Sequence, residues 1–186
     1  MIGQWTFQWL QENNHPVHYF PTTTSTNAIA KEASGSELHS TVFYVADTQT
    51  HGRGQGTRTW INSQPGTNLL LTCSLKSELP PQPELCLAIG NKLHKICLNQ
   101  WPQFQWRVKP PNDLYLENKK VAGILLESIS QGLHHRLLIG LGFNILNSPE
   151  DPQFEATSLQ KHLSQPLSKA DWDQFMNHFI KIMSLS

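Results

Sequence analysis

Residues 105–146 read QWRVKPPNDLYLENKKVAGILLESISQGLHHRLLIGLGFNIL, and this run decides the fold class. QWRVK (105–109), DLYL (113–116), VAGILLESIS (121–130) and RLLIGLGFNIL (136–146) are rich in β-branched, aromatic and leucine residues. Short polar, proline or glycine breaks separate them, which is the pattern of strands in succession. Asn118 supplies a tight turn between the second and the third.

Upstream, VHYF (17–20), TVFYVAD (41–47) and NLLLTCSL (68–75) read as three more strands. A short helix over 5–12 places Trp5, Trp9 and Leu10 on its apolar side, and Pro16 lies beyond its end. PTTTSTN (21–27) is a hydroxyl-rich loop feeding a helix in NAIAKEAS (27–34), with Ser, Thr and Asn as capping types. The prolines at 80, 81 and 83 precede a helix over 84–99, where Leu85, Ala88, Ile89, Lys92, Leu93, Ile96 and Cys97 keep helical spacing with one polar interruption. A last amphipathic helix fits 169–183, with Trp172, Phe175, Phe179, Ile182 and Met183 as its stripe. Residues 149–166 are the most irregular stretch. The expectation is α+β: a mixed, largely antiparallel central sheet flanked by helices, in one domain over 1–186.

Fourteen basic and fourteen acidic residues cancel, so no global field draws the chain to nucleic acid or to an anionic membrane. An anion site has to be local. Cys73, Cys86 and Cys97 form no Cys-x-x-Cys pair and read as buried free thiols in a reducing compartment. The N-terminus lacks the basic and apolar regions of a signal peptide, and no apolar run approaches the ~18 residues of a membrane span. A cytoplasmic protein is expected, with neither nucleic acid nor membrane as partner.

Three segments carry candidate chemistry. HGRGQGTRTW (51–60) puts glycines beside arginines, so backbone amides and guanidinium groups can meet a phosphate or carboxylate; a flexible surface hairpin is the alternative. It ends in no Lys-Ser/Thr pair and opens no helix, so it is neither a P-loop nor a dinucleotide fingerprint. KPPND (109–113) brings Lys109, Asn112 and Asp113 toward a common rim, with Lys120 after the turn; solvated lysines on an ordinary hairpin are the bland reading. GLGFN (140–144) spends two glycines inside an apolar strand, which implies close approach of another backbone or a ligand. Asn144 is then either a site amide or a satisfied core asparagine. Nine histidines are scattered, and neighbouring His134 and His135 make a poor metal pair.

The order TSTN, DTQTHGRGQGTRTW, KPPNDLYLENKKVAGILLE, GLGFN, ATSL resembles the catalytic domain of biotin–protein ligases over about residues 17–183. The resemblance implies the fold shared with lipoate ligases and class II aminoacyl-tRNA synthetases. It implies activation of biotin by ATP and Mg²⁺ to biotinyl-5′-AMP, then transfer to a lysine of a biotin carboxyl carrier protein domain. No tightly bound prosthetic group is expected, and the chain is expected to act as a monomer or weak homodimer. By motif position Ser25, Thr26 and Asn27 fall on the biotin side, with Thr26 toward the ureido group and Gln49 along the ligand. Gly52, Arg53, Gly54 and Gln55 belong to the loop over the biotin tail and α-phosphate, and Arg53 and Lys120 are the expected catalytic cations. Trp60, Asn112, Asp113 and Asn144 fall on the nucleotide side, with Asp113 an outer partner for Mg²⁺.

Three departures accompany it. Gln55 and Gly56 stand where the family often has arginines, and Pro110 where it usually has tryptophan. No helix-turn-helix precedes residue 17 and no SH3-like segment is evident at the other end. The alternatives are a lipoate or octanoate ligase or transferase of the same fold, and a biotin-binding module that has lost turnover.

Overall fold

A computed structural model describes residues 1–33, 41–77, 84–131, 134–150 and 155–183. Seven strands form one sheet: β1 (Val17–Phe20), β2 (Val42–Ala46), β3 (Asn68–Ser77), β4 (Trp106–Lys109), β5 (Asp113–Leu116), β6 (Lys119–Gln131) and β7 (His134–Asn144). Their order across the sheet is β1-β2-β3-β7-β6-β5-β4, and only β1 and β2 run parallel. The helices are α1 (Ile2–Glu12), α2 (Thr26–Ala33), α3 (Glu84–Gln100) and α4 (Lys169–Met183). The expected fold class holds.

Alternation along the strands sorts the sheet into two faces. Leu69, Leu71 and Cys73 of β3 share one face with Ile139, Leu141 and Phe143 of β7 and with Leu114 and Leu116 of β5. On that side α1 and α3 pack on the sheet and α4 packs on both helices. Phe175 of α4 stacks on Trp101, Trp172 and Phe179 and meets Phe143 edge-on at 5.9 Å. Each such fully buried side chain contributes about 1.5–3 kcal/mol. Trp172 keeps its indole N–H satisfied by donating to Thr6 Oγ1 at 3.2 Å. Among the described residues the other face carries only α2, which contacts β2, β3 and β7. Toward β6 and β5 no helix among the described residues covers that face.

Local differences from the expectations have simple causes. α1 begins at Ile2, because Ile2, Gly3 and Thr6 are buried together with Trp9 and Leu10 while Trp5 is half-buried. His134 and His135 lie within β7, since the antiparallel pairing runs out to Gln131–His134. Cys86 is only partly buried, unlike Cys73 and Cys97. Ser34 and the prolines at 80, 81 and 83 lie outside the described residues. Glu117 and Asn118 both adopt positive φ, 47° and 66°, the requirement of a two-residue hairpin turn whose twist matches its strands.

One irregularity positions a cation. Tyr115 pairs with Lys120 and Leu114 with Ala122, so Val121 has no opposite residue: a β-bulge. Gly123, Leu125 and Glu127 face the side away from the main core. Lys120 is three residues before Gly123, and strict alternation would turn it into the core. The bulge sends Val121 into the core, where it is fully buried, and Lys120 out onto the open face.

Candidate active site

The open face has a floor of glycine. Gly142 of β7 pairs directly with Gly123 of β6, and Leu70 and Asp113 flank them in the same cross-strand row. The indole of Trp60 lies on this pair. A Cβ at 142 would stand 2.4 Å from the ring, and one at 123 would stand 3.3 Å away. A Cβ at 140 would meet Asn27 Oδ1 at 2.2 Å. Two descending side chains, Asn27 and Trp60, thus account for the glycines of GLGFN.

At one end of the floor lies a buried polar network. Gln49 Oε1 accepts from the Thr26 amide at 2.7 Å and from the Thr26 hydroxyl at 3.1 Å. Thr72 Oγ1 is 2.8 Å from Thr26 Oγ1 and 2.5 Å from Asn27 Oδ1. Asn27 Nδ2 donates to Glu127 Oε2 at 2.8 Å, and the other Glu127 oxygen pairs with the Arg53 guanidinium at 2.9 Å. Ser25 opens α2, its carbonyl accepting from the Ile29 amide. Tyr19 donates to Asp47 Oδ2 at 2.5 Å; burial, then the adjacent carboxylate, push its hydroxyl up to about 12.

The arginine–glycine stretch forms an ordered hairpin. The Trp60 amide donates to the Gly52 carbonyl at 2.9 Å and the Gly54 amide to the Arg58 carbonyl at 2.8 Å. Gly52 is buried, and a Cβ there would lie 2.4 Å from the Trp60 carbonyl, so the close approach demands glycine. Gly56, at φ +67°, takes the left-handed conformation at the turn. Arg53 thereby hangs from one arm of the hairpin while Trp60 ends the other.

At the other end, Lys120 Nζ is 2.7 Å from Asp113 Oδ1 and 5.8 Å from the Trp60 ring centroid. The segment 155–157 is pinned beside it: the Lys120 amide donates to the Glu155 carbonyl and the Thr157 amide to the Lys120 carbonyl. Asn112 is buried and donates to the Ile124 carbonyl at 3.1 Å, so its amide braces the turn as well as facing the cleft. Asn144 is also buried, on the cleft wall opposite Asn68 in register.

One cleft of about 510 Å³ collects Ser25, Thr26, Asn27, Gln49, Arg53, Gly54, Gln55, Trp60, Asn112, Asp113, Lys120 and Asn144. Gly52, within the hairpin, does not line this cleft. Its volume suits a small-molecule ligand. Thr72 and Glu127 escaped the sequence reading. Thr72 sits in an apolar strand, and its register opposite Gly140 is the only clue. Glu127 is an acid closing the run VAGILL, a signal that spacing alone leaves ambiguous. A cleft with a cation at each end, each matched by a carboxylate, can bring anions together and stabilise charge on them. Thiol chemistry has no place in it: none of the three cysteines lines the cleft, and burial pushes the Cys73 thiol up to about 12. Among the described residues no group of three His, Cys, Asp or Glu side chains gathers to hold a metal ion. No helix among them is long and apolar enough to cross a membrane.

Comparison with known proteins places this geometry. The family model described as "Biotin/lipoate A/B protein ligase family" matches residues 19–144. The chain is 31% identical over 150 residues to the bifunctional ligase/repressor BirA of Bacillus subtilis, covering 79% of this chain and 46% of that protein. It is 34% identical over 143 residues to the biotin–[acetyl-CoA-carboxylase] ligase of Mycobacterium tuberculosis, covering 74% and 52%. Among solved structures, biotin protein ligase from Leishmania major in complex with biotinyl-5-AMP superimposes with a TM-score of 0.72 at 26% identity, over 91% of this chain and 75% of the other. The chain thus spans about half the length of the curated relatives it matches.

Proposed function

We propose, from the premise that the chain belongs to the biotin/lipoate A/B protein ligase family, that it activates biotin with ATP and transfers it to a lysine of a biotin carboxyl carrier domain. The observation carrying this reading is the pair of cations, Arg53 and Lys120, held at opposite ends of one cleft over a glycine floor.

In the first step a biotin carboxylate oxygen attacks the α-phosphorus of ATP. The bond from that phosphorus to its bridging oxygen breaks, and pyrophosphate leaves with the electron pair. Two anions repel on approach, and fixed cations in a partly water-excluded cleft offset that repulsion without reorganising. Lys120 serves the carboxylate and the acyl-phosphate oxygens, and Arg53 bridges carboxylate and phosphate. Each begins with a carboxylate partner, Asp113 or Glu127, which keeps the cation placed. In the second step the neutral amine of the carrier lysine attacks the acyl carbonyl, loses a proton, and AMP departs.

Thr26, Gln49, Asn27 and Thr72 offer donors and acceptors to a polar head such as the biotin ureido group, with Ser25 beside them at the start of α2. Gly54 and Gln55 border the path of the biotin tail. Trp60 and Asn144 receive the nucleoside, with Asn112 bracing that wall. Asp113 is the carboxylate that would hold a Mg²⁺ ion at the nucleotide phosphates, and the ion would supply positive charge to offset theirs. A polar cleft end disfavours lipoate or octanoate, whose acyl chains call for an apolar tunnel. Action in the cytoplasm belongs to the same reading.

The test is mass spectrometry of a carrier domain incubated with the chain, biotin, ATP and Mg²⁺. A gain of one biotinyl group is expected, with Lys120→Ala slowing pyrophosphate release about a hundredfold. An unmodified carrier from a folded sample refutes transfer. Tight biotin binding without pyrophosphate release would make the chain a binding module instead.

A further inference from the structure

Lys120 is held at two points. Its ammonium meets Asp113 Oδ1 at 2.7 Å, which fixes the tip of the side chain. Its backbone is fixed by a segment outside the seven strands. Pairing between β6 and β7 begins at Ala122 and Phe143, so residues 119–121 extend past the end of β7. There the segment 155–157 takes the place of β7, with Ala156 bridging Lys120 in parallel. The Lys120 amide donates to the Glu155 carbonyl at 3.0 Å, and the Thr157 amide to the Lys120 carbonyl at 2.9 Å. The neighbour on the other side is β5, where the register shifts at the bulge. The segment is tied down in turn by a side-chain bond: Thr157 is buried, and its Oγ1 lies 2.8 Å from His162 Nε2. His162 closes a short 3₁₀ turn, Leu159–Lys161, its amide donating to the Leu159 carbonyl at 3.0 Å. That turn is anchored, since Leu159 is fully buried and the Gln160 amide donates to the Ile145 carbonyl at 2.8 Å. The His162 ring meets Phe104 edge-on at 6.0 Å.

We infer that the Thr157–His162 bond is a positioning clamp for Lys120: it holds the segment 155–157 against the bulge and so fixes where the lysine side chain leaves the sheet. For its effect on rate, this inference rests on the ligase reading. Neither Thr157 nor His162 lines the cleft, whereas Ala156 between the two clamped peptides does, so any influence on the reaction passes through Lys120. A bulge is a local break in the ladder, and its unpaired residue leaves the strand freer to shift than regular pairing would. A shift of the Lys120 backbone is carried to the ammonium, and a small displacement of a catalytic group costs rate out of proportion to its cost in stability. Burial lowers the His162 pKa; Glu117 opposes this, while Lys119 and Lys161 add to it. The ring is then neutral near pH 7, with one donor and one acceptor nitrogen, and the Thr157 hydroxyl can give or accept to match.

The experiment pairs two readouts on the full chain. Amide hydrogen exchange, resolved by residue with NMR, reports the hold on Lys120, and pyrophosphate release with biotin and ATP reports the first chemical step. Thr157→Val keeps the shape and removes the hydroxyl; His162→Phe keeps the ring against Phe104 and removes the nitrogen. Loss of one neutral hydrogen bond should speed exchange of the Lys120 and Thr157 amides about fivefold. The Ile124 amide, which donates to the Asn112 carbonyl farther along β6, should exchange as in the parent. In the same variants kcat should fall about fivefold while KM for biotin stays within about twofold. Thr157→Ser and His162→Gln, whose amide nitrogen reaches the place of Nε2, should restore both readouts. Combining Thr157→Val with His162→Phe should be no worse than either alone. Unchanged exchange at Lys120 overturns the clamp, and so does equally faster exchange at Ile124, which would mean a general loosening. Faster exchange at Lys120 with unchanged kcat, or with KM alone raised, makes the bond merely structural and overturns its positioning role. The two proposals fail separately: an unlabelled carrier with clamp-dependent exchange at Lys120 removes the ligase reading alone, and a labelled carrier with clamp-independent exchange removes the clamp alone.

Discussion

Glu127→Gln isolates the contact that ties the arginine hairpin to the body of the protein. In the parent, the carboxylate accepts from two donors at once, Asn27 Nδ2 at 2.8 Å and Arg53 at 2.9 Å. A glutamine has the same shape but one acceptor oxygen. Whichever way its amide turns, an N–H₂ group faces another donor, and the ionic attraction to Arg53 is gone. The Arg53 side chain is 46% exposed and that of Glu127 20%, so the pair lies between a surface and a buried ion pair. Water screens it, and about 1 kcal/mol is the appropriate scale. That corresponds to about a fivefold rise in the population of the detached hairpin. Trypsin reads this population at the Arg58–Thr59 bond, provided reclosing is fast relative to cleavage. Cleavage in Glu127→Gln should be about five times faster than in the parent, with global thermal stability little changed. In an Arg53→Gln background the same substitution should add nothing, since the interaction has already been removed. Equal cleavage rates in parent and variant would refute the latch, and an undiminished effect without Arg53 would assign it to Asn27.

Two further outcomes follow from the same geometry. Gly142→Ala places a methyl 2.4 Å from the Trp60 ring, so it should destabilise the fold by about 1–3 kcal/mol or lift the indole off the floor; unchanged melting together with unchanged tryptophan emission would show that the floor is not tightly packed. Tyr19 has its hydroxyl raised from 10.0 to about 12, so the stability it contributes is complete below pH 10 and is lost as pH climbs toward 12. Denaturant titrations across that interval should show a steeper decline for the parent than for Tyr19→Phe, and parallel declines would exclude the Tyr19–Asp47 bond as the cause.

Much of the architecture was legible because it is written locally. DLYL is bounded by a proline-containing turn and by Asn118, and the observed β5 has those limits. The tryptophan, phenylalanine and isoleucine stripe of α4 has helical spacing throughout, and its helix spans Lys169–Met183 as expected. α1 begins three residues before the expected start at Trp5, because Gly3 and Gln4 carry no apolar signal, although Gly3 is buried. The candidate cleft residues came from ordered motifs, and all of them except Gly52 line one cleft. Their partners did not emerge, because Thr72 and Glu127 look in sequence like incidental polar residues in apolar strands.

By itself the sequence determined the elements, the faces that alternation makes apolar, and the chemical types available to a cleft. Tertiary structure alone decided how those types meet. Asn27 and Glu127 are 100 residues apart and bond only because β7 lies between β3 and β6, an order that no local pattern encodes. Gly123 and Gly142 make a floor only because register sets them opposite each other. Lys120 faces that floor only because one unpaired residue, Val121, shifts the alternation behind it. Spacing along a strand records which side chains share a face; pairing between strands, set by long-range packing of the core, decides which of them touch.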